Sequence, residues 1–122
     1  MGMRVLATDP YAVIDDARLT AVPLPRLLSE ADYVICLAVA TPETENLIDA
    51  TALGHMRRDA FFINLSRGNL VDEAALEQAL ASGSIAGAAM DVGRAPDQMP
   101  TPRLAGLPNV VATPHIGGLT PQ

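Results

Sequence analysis

Five short apolar segments set the frame for this chain. They are Arg4–Thr8 (RVLAT), Asp32–Ala40 (DYVICLAVA), Ala60–Leu65 (AFFINL), Ile85–Val92 (IAGAAMDV) and Asn109–Thr113 (NVVAT). Each has strand length, and most stop at a polar or proline residue. The unbroken apolar run at 32–40 is the pattern of a parallel strand buried on both faces. The Ala60–Leu65 segment reads as another buried strand. Between the strands lie helical stretches: a short one at Pro25–Ser29, another at Thr51–Met56, and a longer one at Glu73–Ser82. Asp72 is suited to cap the last at its start, and Gly83 to close it. Leu76 and Leu80, spaced i and i+4, mark its buried face. Pro96–Pro108 reads as a proline-rich loop. Strands joined through helices imply an α/β fold with a parallel sheet.

Composition agrees with one packed domain. The 122 residues are 49% hydrophobic and only 18% charged, which excludes a disordered chain. Aromatics are 3%, so the core rests on Ala, Val, Leu and Ile, which suit close packing of helix on sheet. A net charge of −6 opposes binding to nucleic acid. No apolar run approaches the roughly 20 residues of a membrane span, and Met1–Leu6 lacks the apolar stretch of a signal peptide. The single cysteine, Cys36, excludes an internal disulfide and reads as a small buried hydrophobe. A cytoplasmic setting is expected.

In a parallel sheet, ligands bind beyond the carboxyl ends of the strands. Asp9, Arg67, Asp91 and His115 fall at or just after such ends. Position alone leaves two readings open for each. Asp9 could accept two hydrogen bonds from a ribose diol, or simply form a turn with Pro10. Arg67, with its planar fork, suits a carboxylate or a polarised carbonyl; it could also be an ordinary loop arginine. Gly68 permits a close approach. Asp91 could meet the nicotinamide end of a cofactor or cap a turn. His115 could move a proton near neutral pH, or be a hydrogen-bonded structural residue. Gly117 and Gly118 let backbone approach a ligand, or turn the chain. His55 reads as structural or exposed, and Arg57-Arg58 as a solvated pair. Neither histidine has a second ligand at metal-binding spacing, so no metal is expected.

Several segments together resemble the D-2-hydroxyacid dehydrogenase family, which includes phosphoglycerate, glycerate and D-lactate dehydrogenases. They are Val5–Pro10, Leu27–Asp32, Thr41–Thr44, Asn64–Gly68 with Val71–Leu76, Ala89–Val92, and Asn109-Val110 through Thr113–Gly118. The resemblance covers essentially the whole chain in order, and Arg-Gly-x-x-Val-Asp-Glu and Thr-Pro-His are its specific parts. It implies a Rossmann-type fold, NAD as cofactor, and a small 2-hydroxy or 2-keto acid as substrate. It also implies a homodimer for the full-length parent. Asp9 would hold the adenosine ribose. Leu65, Ser66, Arg67, Asp91, His115, Gly117 and Gly118 would lie along the cofactor. Arg67 would also bind the substrate carboxylate and carbonyl, and His115 would exchange a proton with the substrate oxygen.

Three departures stand out. The family's Gly-x-Gly-x-x-Gly strand and turn is absent, so residues 1–122 are expected to form a partial NAD-binding domain lacking the first β-strand. The expected central gap lies between the Arg4–Thr8 strand and the AFFINL strand. The substrate-binding domain is absent as well. Finally, the family's glutamate beyond the Asp91 position falls at Pro96, and Asp97 is the nearby carboxylate that could replace it. Two other readings therefore stay open: a non-catalytic nucleotide-binding or interaction protein of the same fold, and an inactive truncated product.

Overall fold

A computed structural model describes residues 3–9 and 17–113. The elements run β1 (Val5–Ala7), β2 (Leu19–Ala21), α1 (Leu24–Glu30), β3 (Tyr33–Cys36), α2 (Ala50–His55), β4 (Phe61–Asn64), α3 (Glu73–Ser82), β5 (Gly87–Met90), α4 (Pro102–Ala105) and β6 (Val110–Ala112). Short 3-10 turns occupy Pro42–Thr44 and Gly68–Leu70. The strands form two parallel sheets, β1-β2 and β3-β4-β5-β6. Connections through helices and turns bring each new strand back in the same direction, as parallel pairing requires.

Local signals explain most helix ends. Asp72 accepts a hydrogen bond from Ala75 N at 3.2 Å, and Gly83 ends α3 in the left-handed region at φ 75°. Such a cap stabilises a helix by about 1 kcal/mol. Asp49 caps α2 by accepting from Ala52 N at 2.9 Å. Pro25 and Pro102 sit in the first turns of α1 and α4, where a missing N–H costs nothing. That is why α4 forms inside the stretch read from sequence as a proline loop. Strand β2 carries no sequence signal: it is three residues long, has no buried position, and runs into Val22-Pro23.

In the four-stranded sheet, Val34, Phe62, Ala88 and Val110 form one cross-strand row, and Cys36, Asn64, Met90 and Ala112 another. Both rows face the helices. Phe62 is wholly buried there, in a cluster with Leu28, Leu53, Leu70, Leu76 and Leu80. Burial also pushes the Cys36 thiol pKa up, so Cys36 behaves as a hydrophobe.

The opposite face differs from the expectation of strands buried on both sides. Tyr33 and Ile35 are 59% and 53% exposed, and Val111 is 68% exposed. The burial of β3 and β4 alternates because helices cover one face of the sheet in the described residues. Tyr33 and Phe61 stack on this bare face, centroids 5.8 Å apart. Gly87 lies beside them in register; a Cβ there would stand 2.8 Å from Asn109 O and 3.1 Å from the Phe61 ring.

The position of the break between the sheets is a second correction. β4, the AFFINL strand, pairs on both sides, with β3 and β5. Among the described residues, the edge strands of the four-stranded sheet are β3 and β6. The arginine pair also differs from a merely solvated one: Arg57 bonds Asp32 at 3.1 Å and Asp59 at 3.3 Å.

Candidate functional site

The loop after β4 is shaped from beneath by Asn64. This residue is buried at the end of the strand, where its amide replaces the ladder that stops there. Its Nδ2 donates to Arg67 O at 3.0 Å, and its Oδ1 accepts from Ser66 N at 3.0 Å. The Ser66 hydroxyl donates to Ala38 O, and Leu65 N donates to Cys36 O at 3.3 Å. The loop after β4 is thus tied to the chain leaving β3. Arg67 stands on this base with its side chain exposed, and its Nη1 donates to the adjacent Ser66 O at 2.9 Å.

Two glycines let the next loop close in. A Cβ on Gly68 would lie 2.3 Å from Gly93 C, and one on Gly93 would lie 2.5 Å from Pro100 Cα. No side chain fits at either position. The loops after β4 and β5 therefore touch backbone to backbone.

Asp91 comes directly after β5 and is buried. Its N donates to Asn64 O at 3.3 Å, and its carboxylate accepts from the Thr113 hydroxyl. Thr113 N also donates to Met90 O at 3.0 Å. Asp91 thereby fixes Thr113, the residue after β6 and two before His115 in the sequence.

The structure brings Leu65, Ser66, Arg67 and Asp91 to the carboxyl edge of the four-stranded sheet. Asp9 is exposed and lies two residues past β1, at the carboxyl end of the separate two-stranded sheet. His115, Gly117 and Gly118 lie outside the described residues. Asp97 is exposed, and its Oδ1 accepts from Met99 N at 3.1 Å within its own loop. Around this edge Leu37 and Val39 are 71% and 75% exposed, and Leu65 is 54% exposed. They present apolar surface beside the polar groups, the mixture that small-molecule sites combine. His55 is exposed at the last turn of α2. Among the described residues, no group of three His, Cys, Asp or Glu side chains is arranged to hold a metal ion. No described helix is long and apolar enough to cross a membrane.

Sequence reasoning did not single out three residues of this edge. Asn64 had a signal: an amide ending an apolar strand just before Ser-Arg-Gly. Thr113 and Arg94 had none, since their roles depend on partners 22 to 49 positions away.

Comparison with known proteins agrees with this architecture. The model of the D-isomer specific 2-hydroxyacid dehydrogenase NAD binding domain matches residues 1–117. The D-3-phosphoglycerate dehydrogenase of Synechocystis sp. is 42% identical over all of this chain, which covers 22% of that protein. The glycerate dehydrogenase of Methylorubrum extorquens is 42% identical over 95% of the chain, which covers 36% of that relative. The NAD-complexed structure of a D-isomer specific 2-hydroxyacid dehydrogenase from Lactobacillus delbrueckii ssp. bulgaricus superposes on 94% of the chain, with a TM-score of 0.82 and 37% identity. The chain covers 39% of that structure, so it spans well under half of each of these relatives. With the family model matching nearly from end to end and a solved member superposing on 94% of the chain, the chain belongs to the D-isomer specific 2-hydroxyacid dehydrogenase family, within its NAD-binding domain.

Proposed function

We propose that the protein carrying this chain transfers hydride between NAD and a small 2-hydroxy or 2-keto acid. The observation that carries this reading is the Arg67 loop. It stands at the carboxyl edge of a parallel sheet, fixed by Asn64 and Ser66, with Asp91 buried in the adjoining loop. A guanidinium held on a rigid base suits two-point binding of a carboxylate and its neighbouring carbonyl.

NAD fits the residues present. The exposed side chains of Leu37, Val39 and Leu65 offer apolar surface for a flat ring beside polar groups. The exposed carboxylate of Asp9 would accept from the ribose hydroxyls and repel a 2′-phosphate, which sets a preference for NAD over NADP. Leu65, Ser66, Asp91, Gly117 and Gly118 would complete the cofactor wall. Bound NAD supplies the hydride acceptor or donor. Arg67 orients the acid, and His115 takes up or returns the proton of the substrate oxygen.

The relatives are several times longer, and residues 1–122 contain no Gly-x-Gly-x-x-Gly. We infer further that turnover draws on protein beyond these residues, that the 122 residues alone are inactive, and that the working protein is a homodimer in the cytoplasm. The test is NADH oxidation at 340 nm by the full-length gene product with a panel of 2-keto acids. Saturable oxidation is expected. Its absence across the panel, with NADH bound, would favour the second reading.

That second reading is a nucleotide-binding or interaction protein without turnover. It draws on Pro96 standing where the family has its glutamate, and on the use of the Asp97 carboxylate within its own turn.

A further inference from the structure

Arg94 sits just beyond the Gly68–Gly93 contact, and its guanidinium reaches back across the loops after β3 and β4. Its Nε donates to Val71 O at 3.1 Å. One Nη donates to Glu45 Oε1 at 3.2 Å, and the other to Asn46 Oδ1 at 2.5 Å and Asn69 O at 2.9 Å. Its backbone N donates to Glu73 Oε1 at 3.1 Å, at the start of α3. One residue thus joins three loops and a helix.

The segments it joins already run side by side. Asn46 N donates to Asn69 O at 2.9 Å, Ile48 N to Leu70 O at 2.9 Å, and Asp72 N to Ile48 O at 3.0 Å. Ile48 and Val71 form an isolated parallel bridge. Asn46 itself lies in the left-handed region at φ 54°, which asparagine tolerates better than most non-glycine residues. The Arg94 fork spans the open side of this pairing, binding the carbonyls on both sides of Leu70. Lysine offers a single point charge and cannot reach the four acceptors together.

The turn Gly68–Leu70 begins at the residue after Arg67. Asn64 holds the Arg67 backbone from the N-terminal side, through Arg67 O and Ser66 N. On the C-terminal side, the nearest side chain bonding the turn is Arg94. We propose that Arg94 is a positioning residue that fixes the Arg67 loop in the geometry required for a carboxylate-bearing substrate. This rests on Arg67 being the carboxylate-binding residue, as proposed above.

The experiment uses the full-length gene product, with Arg94→Lys, Asn46→Ala and Glu45→Gln compared with wild type. Steady-state kinetics give KM separately for the 2-keto acid and for NADH, and amide hydrogen exchange is read at Asn46–Ile48 and Asn69–Val71. For Arg94→Lys, KM for the keto acid should rise about tenfold while KM for NADH stays within about twofold. Exchange in the two segments should quicken about tenfold, with the protection of β4 and β5 unchanged. Asn46→Ala, which removes one bond, should move the same two readouts by about threefold. Glu45→Gln, which removes only an exposed ion pair, should leave both near wild type. An unchanged keto-acid KM in Arg94→Lys overturns the proposal, and so does a parallel rise in both KM values. If Arg94→Lys does not fold, an unchanged keto-acid KM in Asn46→Ala overturns it instead. A wild type that turns over no 2-keto acid removes the functional reading and the proposal with it, whereas activity with an unaltered Arg94→Lys removes only the proposal.

Discussion

The two ends of the four-stranded sheet use similar hydrogen-bonding groups for different purposes. At the amino end the bonds close on the protein itself. Phe61 N donates to Asp32 O at 3.0 Å, Ala86 N to Ala60 O at 2.9 Å, and Ala88 N to Asn109 O at 3.1 Å. The Asn109 amide reaches Leu80 O at 3.2 Å and Ala86 O at 3.4 Å. Arg57 directs its charge to Asp32 and Asp59. At the carboxyl end, buried Asn64 and Asp91 instead support loops that hold Arg67 out toward solvent. One end secures the strands, and the other presents the exposed Arg67 on a secured base. Changes at the amino end should therefore appear in stability, and changes at the carboxyl end in binding and turnover.

The largest expected effect that separates the two ends is Arg67→Lys in the full-length protein. We predict a fall in kcat/KM for the 2-keto acid of about 100-fold or more, with the melting temperature unchanged. Near-normal turnover would remove Arg67 from the site. Next come two glycines, one at each end. Gly68→Ala places a Cβ 2.3 Å from Gly93 C, so two loop backbones must part. It should destabilise by about 1–3 kcal/mol and raise KM for the keto acid. Gly87→Ala meets Asn109 O at 2.8 Å and should destabilise by a similar amount, but leave both KM values alone in whatever fraction stays folded. Thermal melts paired with kinetics distinguish the two; equal kinetic damage would break the comparison.

Asp9→Ala should act on the cofactor alone. Loss of a charged hydrogen bond to the ribose predicts an increase in KM for NAD of about tenfold and a smaller gap to NADP. Equal use of NAD and NADP by the wild type would remove this role.

The smallest effect concerns pH. Glu30 bonds Arg26 at 2.6 Å and Arg4 at 3.0 Å, joining α1 to the chain entering β1. The hydrogen bond from Arg26 lowers its pKa most; desolvation opposes it, and the charges of Arg26 and Arg4, with the Arg4 hydrogen bond, add to the lowering. A lowered folded pKa stabilises above the ordinary carboxylate range, and that contribution is lost as pH falls through the lowered value. Glu30→Gln should therefore flatten the acid limb of the stability profile slightly, because water screens the pair. An unchanged acid limb would show that the pair contributes nothing.

The fold is legible in the sequence wherever a local signal and the tertiary structure agree. Asp72, Gly83 and the Leu76–Leu80 face place α3 from cap to cap. Residues 109–113 place β6 because a short β-branched run there stops before Pro114 in the sequence. Legibility fails where a residue's environment comes from distant chain. The apolar run at 32–40 does not reveal that Tyr33 and Ile35 face away from the helices. Pro102 reads as a breaker among its neighbouring prolines, although at the first position of α4 its missing N–H costs nothing. In the site, Arg67 and Asp91 stand out as polar residues after apolar strands. Arg94 and Thr113 do not, because their partners lie 22 or more positions away.

The claim that the carboxyl edge is the binding edge can be tested by titrating the full-length protein with NAD and monitoring backbone amide resonances by NMR. We expect shifts at Asp9, Leu65, Ser66, Arg67, Asp91 and Thr113, and none at Asp32, Arg57, Gly87 or Asn109. Saturable shifts concentrated on the second group, with the first group unmoved, would contradict the account.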